Sequence, residues 1–262
     1  MSDYFYLPLI TLAVISGYMI IVWTIARTLK NNSIVDVAWA FNFLFIALII
    51  LSFATGYQPR ILMVCTIAGL WSLRLGTHLS IRVLGHISEE EGRYKQLRKE
   101  WKTNLNFKFF MFFIMQGFSN VFLAIPYFII ALNPEPRISV IEYIGAGLWF
   151  LSILGEATSD FQLADFKKDP KNKGKVCDRG LWYYSRHPNY FFQFMIWVSV
   201  LIFALGSPYG WIAVICPLSI AYLLFKVTGI PMTEEQSLKS RPEAYKRYQE
   251  TTSVFIPWFK KA

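Results

Sequence analysis

Long apolar stretches separated by short polar linkers run along almost the whole chain. Because a helix needs about 20 predominantly apolar residues to cross a bilayer, the pattern predicts seven membrane spans. They cover residues 4–26, 36–54, 61–84, 109–132, 141–163, 190–205 and 211–230, and the sixth is the shortest. The composition agrees, since 55% of the 262 residues are hydrophobic and only 16% are charged. We therefore predict an all-α integral membrane protein with seven transmembrane helices in one multi-span domain, residues 1–262.

The placement of lysine and arginine predicts the orientation of these spans. Only Arg60 and Arg137 fall in the linkers after spans two and four, and the linker after span six contains no lysine or arginine. The positive-inside rule then places the N-terminus outside and the C-terminus inside. The net charge of +9 belongs to a cytoplasmic face near anionic headgroups, so no nucleic-acid partner is expected. We interpret span one as retained rather than cleaved, in a bacterial inner membrane or, in a eukaryote, the endoplasmic reticulum.

Polar side chains recur every three or four residues within several spans, so each set shares one helix face. In span three the set is Trp71, Arg74, His78 and Arg82, which would be costly against lipid and should face a cavity or ligand. The alternatives are a structural ion pair for Arg74 and His78, and an Arg82 that extends to the interface. Other spans carry similar sets: Asp36, Trp39 and Asn42; Gln116 and Asn120; Glu156, Asp160, Leu163 and Lys167; Asn189, Gln193 and Trp197. Helix–helix contacts would explain one set, whereas several at similar depth predict a shared polar pocket open to the cytoplasm.

Two polar segments outside the spans carry helical signals. The loop 85–108 is charged and is predicted to form an amphipathic helix on the cytoplasmic surface. Residues 233–236 and 240–243 both fit the capping-box pattern, which predicts short cytoplasmic helices. These helices would bring Glu235, Arg241, Tyr245 and Tyr248 beneath the pocket, and a solvated tail is the alternative.

The segment 167–197 joins a run of lysines and arginines to Tyr183, to the block Arg186-His187-Pro188-Asn189, and then to an apolar helix. This arrangement suits a polyanionic cofactor that arrives from water and reacts with a molecule in lipid, although an anchoring loop would explain the lysines alone. Gly145-Ala-Gly147 is not a dinucleotide fingerprint, because it lies within a span and lacks the third glycine. No P-loop, HExxH or cysteine spacing for a metal or disulfide occurs, so a nucleotide site would be built from helices and loops.

Three stretches carry a resemblance to a known family: SDFQLADFKK, RGLWYYSRHPNYFFQFMIW and EEQSLKSRPEAYKRYQETTSVFIP. They resemble the C-terminal half of the steroid 5α-reductase family, and DVAW and RLGTHLSIR look like its bacterial branch. The similarity runs from about Ser33 to Pro257. The same superfamily contains isoprenylcysteine carboxyl methyltransferases, phospholipid methyltransferases and sterol double-bond reductases. Asp160 within Ser-Asp-Phe, with Leu163 and Lys167 after it, favours the reductases.

The resemblance implies NADPH as the cofactor. Asp160, Lys167, Asn189 and Tyr248 match positions that hold it in the family, and Arg74 and His78 would line the nicotinamide end. With the basic and polar residues described above, the full predicted cofactor-binding set is Arg74, His78, Arg82, Asn120, Asp160, Leu163, Lys167, Lys175, Tyr183, Arg186, His187, Asn189, Glu235, Arg241, Tyr245 and Tyr248. No metal is expected.

The resemblance also implies a reaction, the reduction of the Δ4 double bond of a 3-oxo steroid. The ketone oxygen gains charge as hydride arrives and needs a donor or a positive field aimed at it. The family uses a Glu or Gln in span two and a Tyr in span three, whereas this chain offers Asp36 and Trp71. Because an indole cannot supply a proton, Arg74 or a protonated Asp36 would polarise the ketone, unless Asp36 only caps its helix. The predicted catalytic residues are Asp36, Trp71, Arg74 and His78, and the predicted substrate contacts are Asp36, Trp39 and Trp71.

Two other functions fit the same residues. The first is an S-adenosylmethionine-dependent methyltransferase acting on a lipid or an isoprenylcysteine, because the Arg-His-Pro block also occurs in those enzymes. The second is a lipid-binding membrane protein without chemistry. For the reductase, the expected partners are a steroid-like lipid and membrane lipids, and the chain is predicted to act as a monomer. Residues 1–132 would form the substrate side and 133–262 the cofactor-binding half.

Overall fold

The computed structural model describes residues 3–227 and 229–260, and these residues are helical almost throughout. In that part of the chain the only extended pairing is an isolated parallel bridge between Ser185 and Ser253. The prediction of an all-α protein is therefore confirmed. The helices are α1 (Asp3–Leu29), α2 (Ile34–Phe53), α3 (Gln58–Leu84), α4 (Gly92–Trp101), α5 (Leu105–Leu123), α6 (Ile125–Ala131), α7 (Val140–Lys168), α8 (Leu181–Tyr184), α9 (Pro188–Ala204), α10 (Ile215–Tyr222), α11 (Ile230–Ser240) and α12 (Pro242–Thr251).

Six helical segments of the described residues are long and apolar enough to cross a membrane, which makes the chain a multi-pass membrane protein by length and composition. They are α1, α2, α3, α5 with α6, α7, and the segment Gly210–Ser240, which passes Thr228 outside the described residues. The predicted span 190–205 corresponds to α9, an apolar helix of 17 residues that falls short of this length. The count of seven is therefore not confirmed, and the orientation stays a prediction.

The chain divides into two compact units, Met1–Ile138 with Gly206–Gly210, and Ser139–Leu205 with Trp211–Ala262. In the first unit, Ser72 ties α3 to α2, because its hydroxyl donates to the Ala40 carbonyl (2.6 Å) and accepts from the Leu44 amide (3.0 Å). Gly76 permits this approach, since a Cβ there would lie 2.7 Å from the Phe41 ring. Close helix contact through small residues is the usual means of packing membrane helices.

Arg60 organises the connection that follows α6 in the first unit. This residue is 1% exposed, and its guanidinium donates to the carbonyls of Asn133 (3.0 Å), Glu135 (2.8 Å) and Arg137. A loop whose carbonyls are buried must find donors for them, and one arginine supplies several. Arg60 is therefore a structural residue.

In the second unit, α7 and α9 pack side by side. A Cβ on Gly145 would lie 2.5 Å from the Phe203 amide nitrogen, so this glycine allows the two backbones to approach. Ser139 and Glu142 form a reciprocal capping box that begins α7. The capping boxes predicted at 233–236 and 240–243 were wrong, because Thr233 lies inside α11 and α12 begins at Pro242 without a side-chain cap. The short helices themselves are present.

Candidate functional site

A basic cavity of about 290 Å³ lies in the second unit, between the end of α7 and the segment that follows it. Its lining includes five basic residues: Lys167, Lys168, Lys173, Lys175 and Arg241. Asp169 is the one acidic residue in the lining, and its carboxylate accepts from the Lys171 amide (2.9 Å). Clustered ammonium groups with a guanidinium are the donors that phosphate prefers. The cavity thus fits an anion the size of a phosphate group with part of its sugar, rather than a whole dinucleotide.

The far wall of the cavity is held by backbone contacts. Arg241 donates through Nη1 to the Lys175 carbonyl (2.7 Å), which ties the start of α12 to the basic segment. Asn172 donates to the Phe166 carbonyl at the end of α7 (2.9 Å). Gly174 has φ of +80°, a left-handed conformation that lets the segment turn back. Lys167, Lys175 and Arg241, predicted separately as cofactor contacts, therefore line one cavity.

An apolar floor lies behind these charges. Leu163 packs against the buried cluster Phe166, Cys177 and Trp182. The Tyr248 hydroxyl donates to the carbonyls of Trp182 and Ser185, the latter at 3.2 Å. Burial raises the pKa of both the Cys177 thiol and the Tyr248 hydroxyl, so these groups stay neutral at ordinary pH. Leu163 and Tyr248, both predicted as cofactor contacts, thus belong to the scaffold around the basic cavity.

Asp160 and Asn189 join α7 to α9. The side-chain Nδ2 of Asn189 donates to Asp160 Oδ1 at 3.1 Å, and the side-chain Oδ1 of Asn189 accepts from the backbone amide of Tyr190 at 3.0 Å. Both side chains are half-buried, so a bound group could share them. The pairing brings together two residues that the sequence placed on separate spans, and their role in holding a cofactor stays a prediction.

The carboxylate of Glu234 on α11 contacts four polar side chains. Oε1 accepts from Arg186 Nε (2.7 Å), lies 3.2 Å from His187 Nε2 and accepts a longer bond from the Tyr245 hydroxyl (3.4 Å). Gln249 donates to Oε2 at 2.8 Å. Burial, with the nearby Glu234 charge, raises the pKa of Tyr245 well above its ordinary value. We call these five residues the Glu234 hub.

The hub changes two sequence-based assignments. Arg186 was predicted to bind phosphate, but it is 10% exposed, contacts Glu234 and also donates to the carbonyls of Gln249 (3.0 Å) and Thr252 (2.7 Å). Glu235 was chosen instead of Glu234, yet Glu235 is 66% exposed and pairs with Lys239 on the surface. The missed signal was helical periodicity, because Glu234 lies four residues after Ile230, which is buried.

Tyr183, another predicted cofactor contact, belongs neither to the Glu234 hub nor to the cavity lining. Its ring is 42% exposed and carries the Lys260 ammonium at 4.5 Å from the ring centroid. This is a cation–π contact on the surface of the second unit.

In the first unit, the polar face predicted on α3 becomes more exposed along the helix, from Trp71 to Arg82. Trp71 is fully buried, with its ring 5.0 Å from Phe43 and 6.3 Å from Trp39. Arg74 and His78 are half-buried. Arg82 at the helix end donates to Glu91 at 2.9 Å, so it lies at the surface as the interfacial alternative anticipated.

Asp36 Oδ1 accepts a hydrogen bond at 2.7 Å from the hydroxyl of Tyr94 on α4, and Tyr94 is fully buried. Burial first, and then the Asp36 charge, raises the pKa of Tyr94 well above its ordinary value. The Arg82 guanidinium lies 3.9 Å from the other Asp36 oxygen. Asp36 therefore holds the loop helix α4 in place, a role that the sequence did not suggest because Tyr94 lies 58 residues away.

The same contact region contains a second carboxylate, Glu90. It accepts from the Asn32 amide (2.9 Å) and Asn32 Nδ2 (2.8 Å), and from Arg98. Burial alone would raise the pKa of Glu90, but the hydrogen bonds from Arg98 and Asn32 outweigh it and lower that pKa. We call Asn32, Asp36, Glu90, Tyr94 and Arg98 the α4 clasp.

Trp39 and Asn42, the other two residues of the predicted set on α2, contact α5. Trp39 donates to the Ser119 hydroxyl at 3.0 Å. Asn120 accepts from Asn42 at 2.7 Å and donates to the Trp39 carbonyl at 3.0 Å, and it is fully buried. Asn120, predicted to bind the cofactor, is thus engaged in helix–helix contacts in this unit.

Comparison with known proteins identifies the family of this chain. Residues 22–252 match the family described as "Protein of unknown function (DUF1295)". The chain is also similar to uncharacterized protein C594.04c of Schizosaccharomyces pombe, with 25% identity over 271 residues, covering 90% of this chain and 76% of that protein. No solved structure matches the chain. Among the described residues, no group of three or more His, Cys, Asp or Glu side chains is placed to hold a metal ion. Because the family match takes in most of its length, the chain belongs to the DUF1295 family.

Proposed function

We propose that this protein is an NADPH-dependent membrane reductase that transfers hydride to an activated C=C bond of a lipid enone, with a Δ4-3-oxo steroid as the reference substrate. The observation that carries the proposal is the basic cavity of the second unit. Its five cations surround a volume suited to one phosphate-bearing fragment, which is the part by which NADPH differs from NADH.

The charge of the cavity favours this reading over a methyltransferase. S-adenosylmethionine carries a sulfonium and an ammonium group, a single carboxylate and no phosphate, so a cavity with five cations attracts it less strongly than it attracts a phosphate dianion. A lipid-binding protein without chemistry would need such a cavity only for an anionic headgroup. Competition between NADPH and an anionic lipid for the cavity would distinguish that function from ours.

Within the second unit, we assign the anchoring of NADPH to two groups of side chains. Lys167, Lys175 and Arg241 would neutralise its 2′-phosphate. Asp160 and Asn189 would contact its polar groups through the carboxylate and amide atoms that are now hydrogen-bonded to each other. When bound, NADPH supplies a hydride from its nicotinamide ring. The apolar floor excludes water from one side of the charged groups, which strengthens their attraction for phosphate.

Within the first unit, Arg74 and His78 would serve the reacting end. Asp36 already accepts from Tyr94 and lies near Arg82, so it is less available as a proton donor than the sequence suggested. Arg74 then becomes the group that polarises the ketone oxygen as charge develops on it. Trp71 is fully buried against Phe43 and Trp39, so it would support this part of α3 from behind rather than contact the substrate directly.

The proposal includes seven spans with the N-terminus outside and the C-terminus inside, α9 being the short additional span. The basic linkers would then face the cytoplasm, from which NADPH arrives. Cys177 is buried and would label poorly. A cysteine introduced at the exposed Lys171 is the better reporter of sidedness.

Cofactor binding tests the proposal directly. We expect purified protein in detergent to bind NADPH at least tenfold more tightly than NADH, since a charge-assisted hydrogen bond contributes about 1.5–3 kcal/mol. Lys175→Glu should remove most of this preference. Lys171→Glu makes the same charge change at an exposed lysine outside the cavity lining and should leave the preference intact. Equal affinity for both nucleotides, or binding of S-adenosylmethionine alone, would contradict the assignment.

Turnover tests the reaction. Wild-type protein supplied with NADPH should reduce a Δ4-3-oxo steroid, with product identified by mass, and Arg74→Ala should lose turnover while still binding NADPH. Asp36→Ala has a matched control in Tyr94→Phe, which breaks the same hydrogen bond without removing the acid. If both variants lose turnover, the role of Asp36 is to hold the α4 clasp. If only Asp36→Ala loses turnover, Asp36 takes part in the reaction. Protein that binds NADPH yet reduces no enone would refute the reductase.

A further inference from the structure

The surface of the second unit carries an exposed aromatic patch formed by two segments distant in sequence. Tyr183 and Tyr184 come from α8, and Ile256, Trp258 and Phe259 come from the segment after α12. Trp258 is 67% exposed, Phe259 72% and Ile256 61%. The rings contact one another, with centroids 6.1 Å apart for Tyr184 and Phe259 and 6.2 Å for Trp258 and Phe259. We call these five residues the tail patch.

The tail patch is built into the fold. The Trp258 amide donates to the Tyr184 carbonyl at 2.9 Å, and the Ser185 hydroxyl donates to the Phe255 carbonyl at 2.8 Å. Phe255 is buried, and its ring lies 4.9 Å from that of Phe225. These bonds fix the backbone next to the exposed rings, and the fold holds the rings outward.

Contacts with α7 set the depth of the patch along that helix. Gln162 accepts from the Leu181 amide, and Trp182 donates to the Ser159 carbonyl, both at 2.8 Å. Helix α8 thus lies at the level of residues 159–162. The sequence of α7 is mainly apolar before this level and reaches Lys167 and Lys168 shortly after it. In a helix that is long and apolar enough to cross a membrane, such a change marks the boundary between hydrocarbon and headgroups.

Positive charge accompanies the aromatic rings. The Lys260 ammonium lies 4.5 Å from the Tyr183 ring centroid and 3.4 Å from Asp178. The lysines at the end of α7 lie beyond the same level. Tryptophan and tyrosine concentrate where membrane proteins cross the headgroup layer, and lysines there attract anionic lipids.

We infer that the tail patch inserts into the headgroup layer of the bilayer, beside anionic phospholipids, and so fastens the C-terminal segment to the membrane surface. The occupant is lipid because the patch combines exposed rings with lysine at the apolar-to-basic boundary of a membrane helix. This inference does not depend on the reductase function. A second copy of the chain seated on the patch is the competing outcome.

Site-specific photocrosslinking of the full-length protein tests the inference. Benzoylphenylalanine would replace Trp258 or Phe259, in nanodiscs that contain equal amounts of phosphatidylcholine and phosphatidylglycerol. Glu250, an exposed residue on α12, is the control position. We expect phospholipid adducts by mass at 258 and 259 at several times the yield found at 250. Equal yields at all three positions, or crosslinks to a second copy of the chain at 258 and 259, would overturn the inference.

The same experiment tests the preference for anionic lipid. Adducts at 258 should be enriched in phosphatidylglycerol relative to its share of the nanodisc, and Lys260→Gln should reduce that enrichment. Adducts that follow the bulk composition in both proteins would refute the role of charge. Lys260 contacts the Tyr183 ring and Asp178, and Phe255 contacts Phe225, so Lys260→Gln leaves the buried Phe255 anchor in place.

Discussion

The Glu234 hub permits a quantitative prediction about the stability of the C-terminal helices. The Arg186 guanidinium donates to Glu234 and to the carbonyls of Gln249 and Thr252. Replacing Glu234 with alanine removes the charged acceptor and leaves the two carbonyls. The partners are 10% and 15% exposed, so the pair behaves more like a buried than a surface ion pair. Removing one member of a buried pair costs about 3–5 kcal/mol, against about 0–1 kcal/mol for an exposed pair.

We expect Glu234→Ala to lower the free energy of opening of α11 and α12 by about 2–4 kcal/mol, less than the buried limit because two carbonyl contacts remain. That change multiplies the open fraction by roughly 30- to 700-fold. Hydrogen–deuterium exchange of residues 230–251 in detergent measures it directly. Glu235→Ala is the matched control, since its pair with Lys239 lies on the surface and its loss should leave the opening of these helices almost unchanged.

A double-mutant cycle decides whether the ion pair is the cause. Arg186→Ala, Glu234→Ala and the double variant should give a coupling energy of about 1–3 kcal/mol. A coupling energy under about 0.5 kcal/mol would refute the reasoning, as would a Glu235→Ala effect as large as that of Glu234→Ala. Either result would mean that apolar packing, and not the carboxylate, holds these helices.

Three further predictions concern the site, the α4 clasp and the topology. Asp160→Ala and Asn189→Ala should each weaken NADPH binding by about 1–3 kcal/mol while the protein stays folded, and unchanged titration curves for both would remove them from the site. Because the folded-state pKa of Glu90 is lowered, its contribution to stability is present above the ordinary glutamate value near 4.3 and is lost as pH falls through the folded value. The protection factors of the α4 amides, corrected for the pH dependence of intrinsic exchange, should therefore fall below about pH 4, and Glu90→Gln should reduce that pH dependence. Finally, cysteine at Lys171 should react with impermeant reagents only after permeabilisation, and cysteine at Glu135 should react in intact cells; the reverse pattern would invert the topology.

Local pattern alone determined the helical class and most helix positions. The predicted spans 36–54 and 61–84 correspond to α2 and α3 because an apolar run of that length has few other ways to satisfy its backbone in a membrane. The helix α4 was likewise predicted from the charged loop, and the structure confirms it. Span 190–205 was the exception, since its apolar helix has only 17 residues.

Side-chain direction and partners were decided by tertiary structure. Glu234 and Glu235 are neighbours of identical chemistry, and only the packing of α11 turns one toward Arg186 and the other toward solvent. Asp36 found its partner in Tyr94, a contact between distant parts of the chain that no local periodicity encodes.

The basic cavity shows both contributions. The sequence by itself determined that lysines accumulate after α7, because composition is read directly from the chain. Only the tertiary structure decided that Lys175 and Arg241 line one cavity while Arg186, of the same charge, belongs to the Glu234 hub. The physical reason is that charge is a property of each residue, whereas convergence depends on long-range contacts such as the bond from Arg241 to the Lys175 carbonyl.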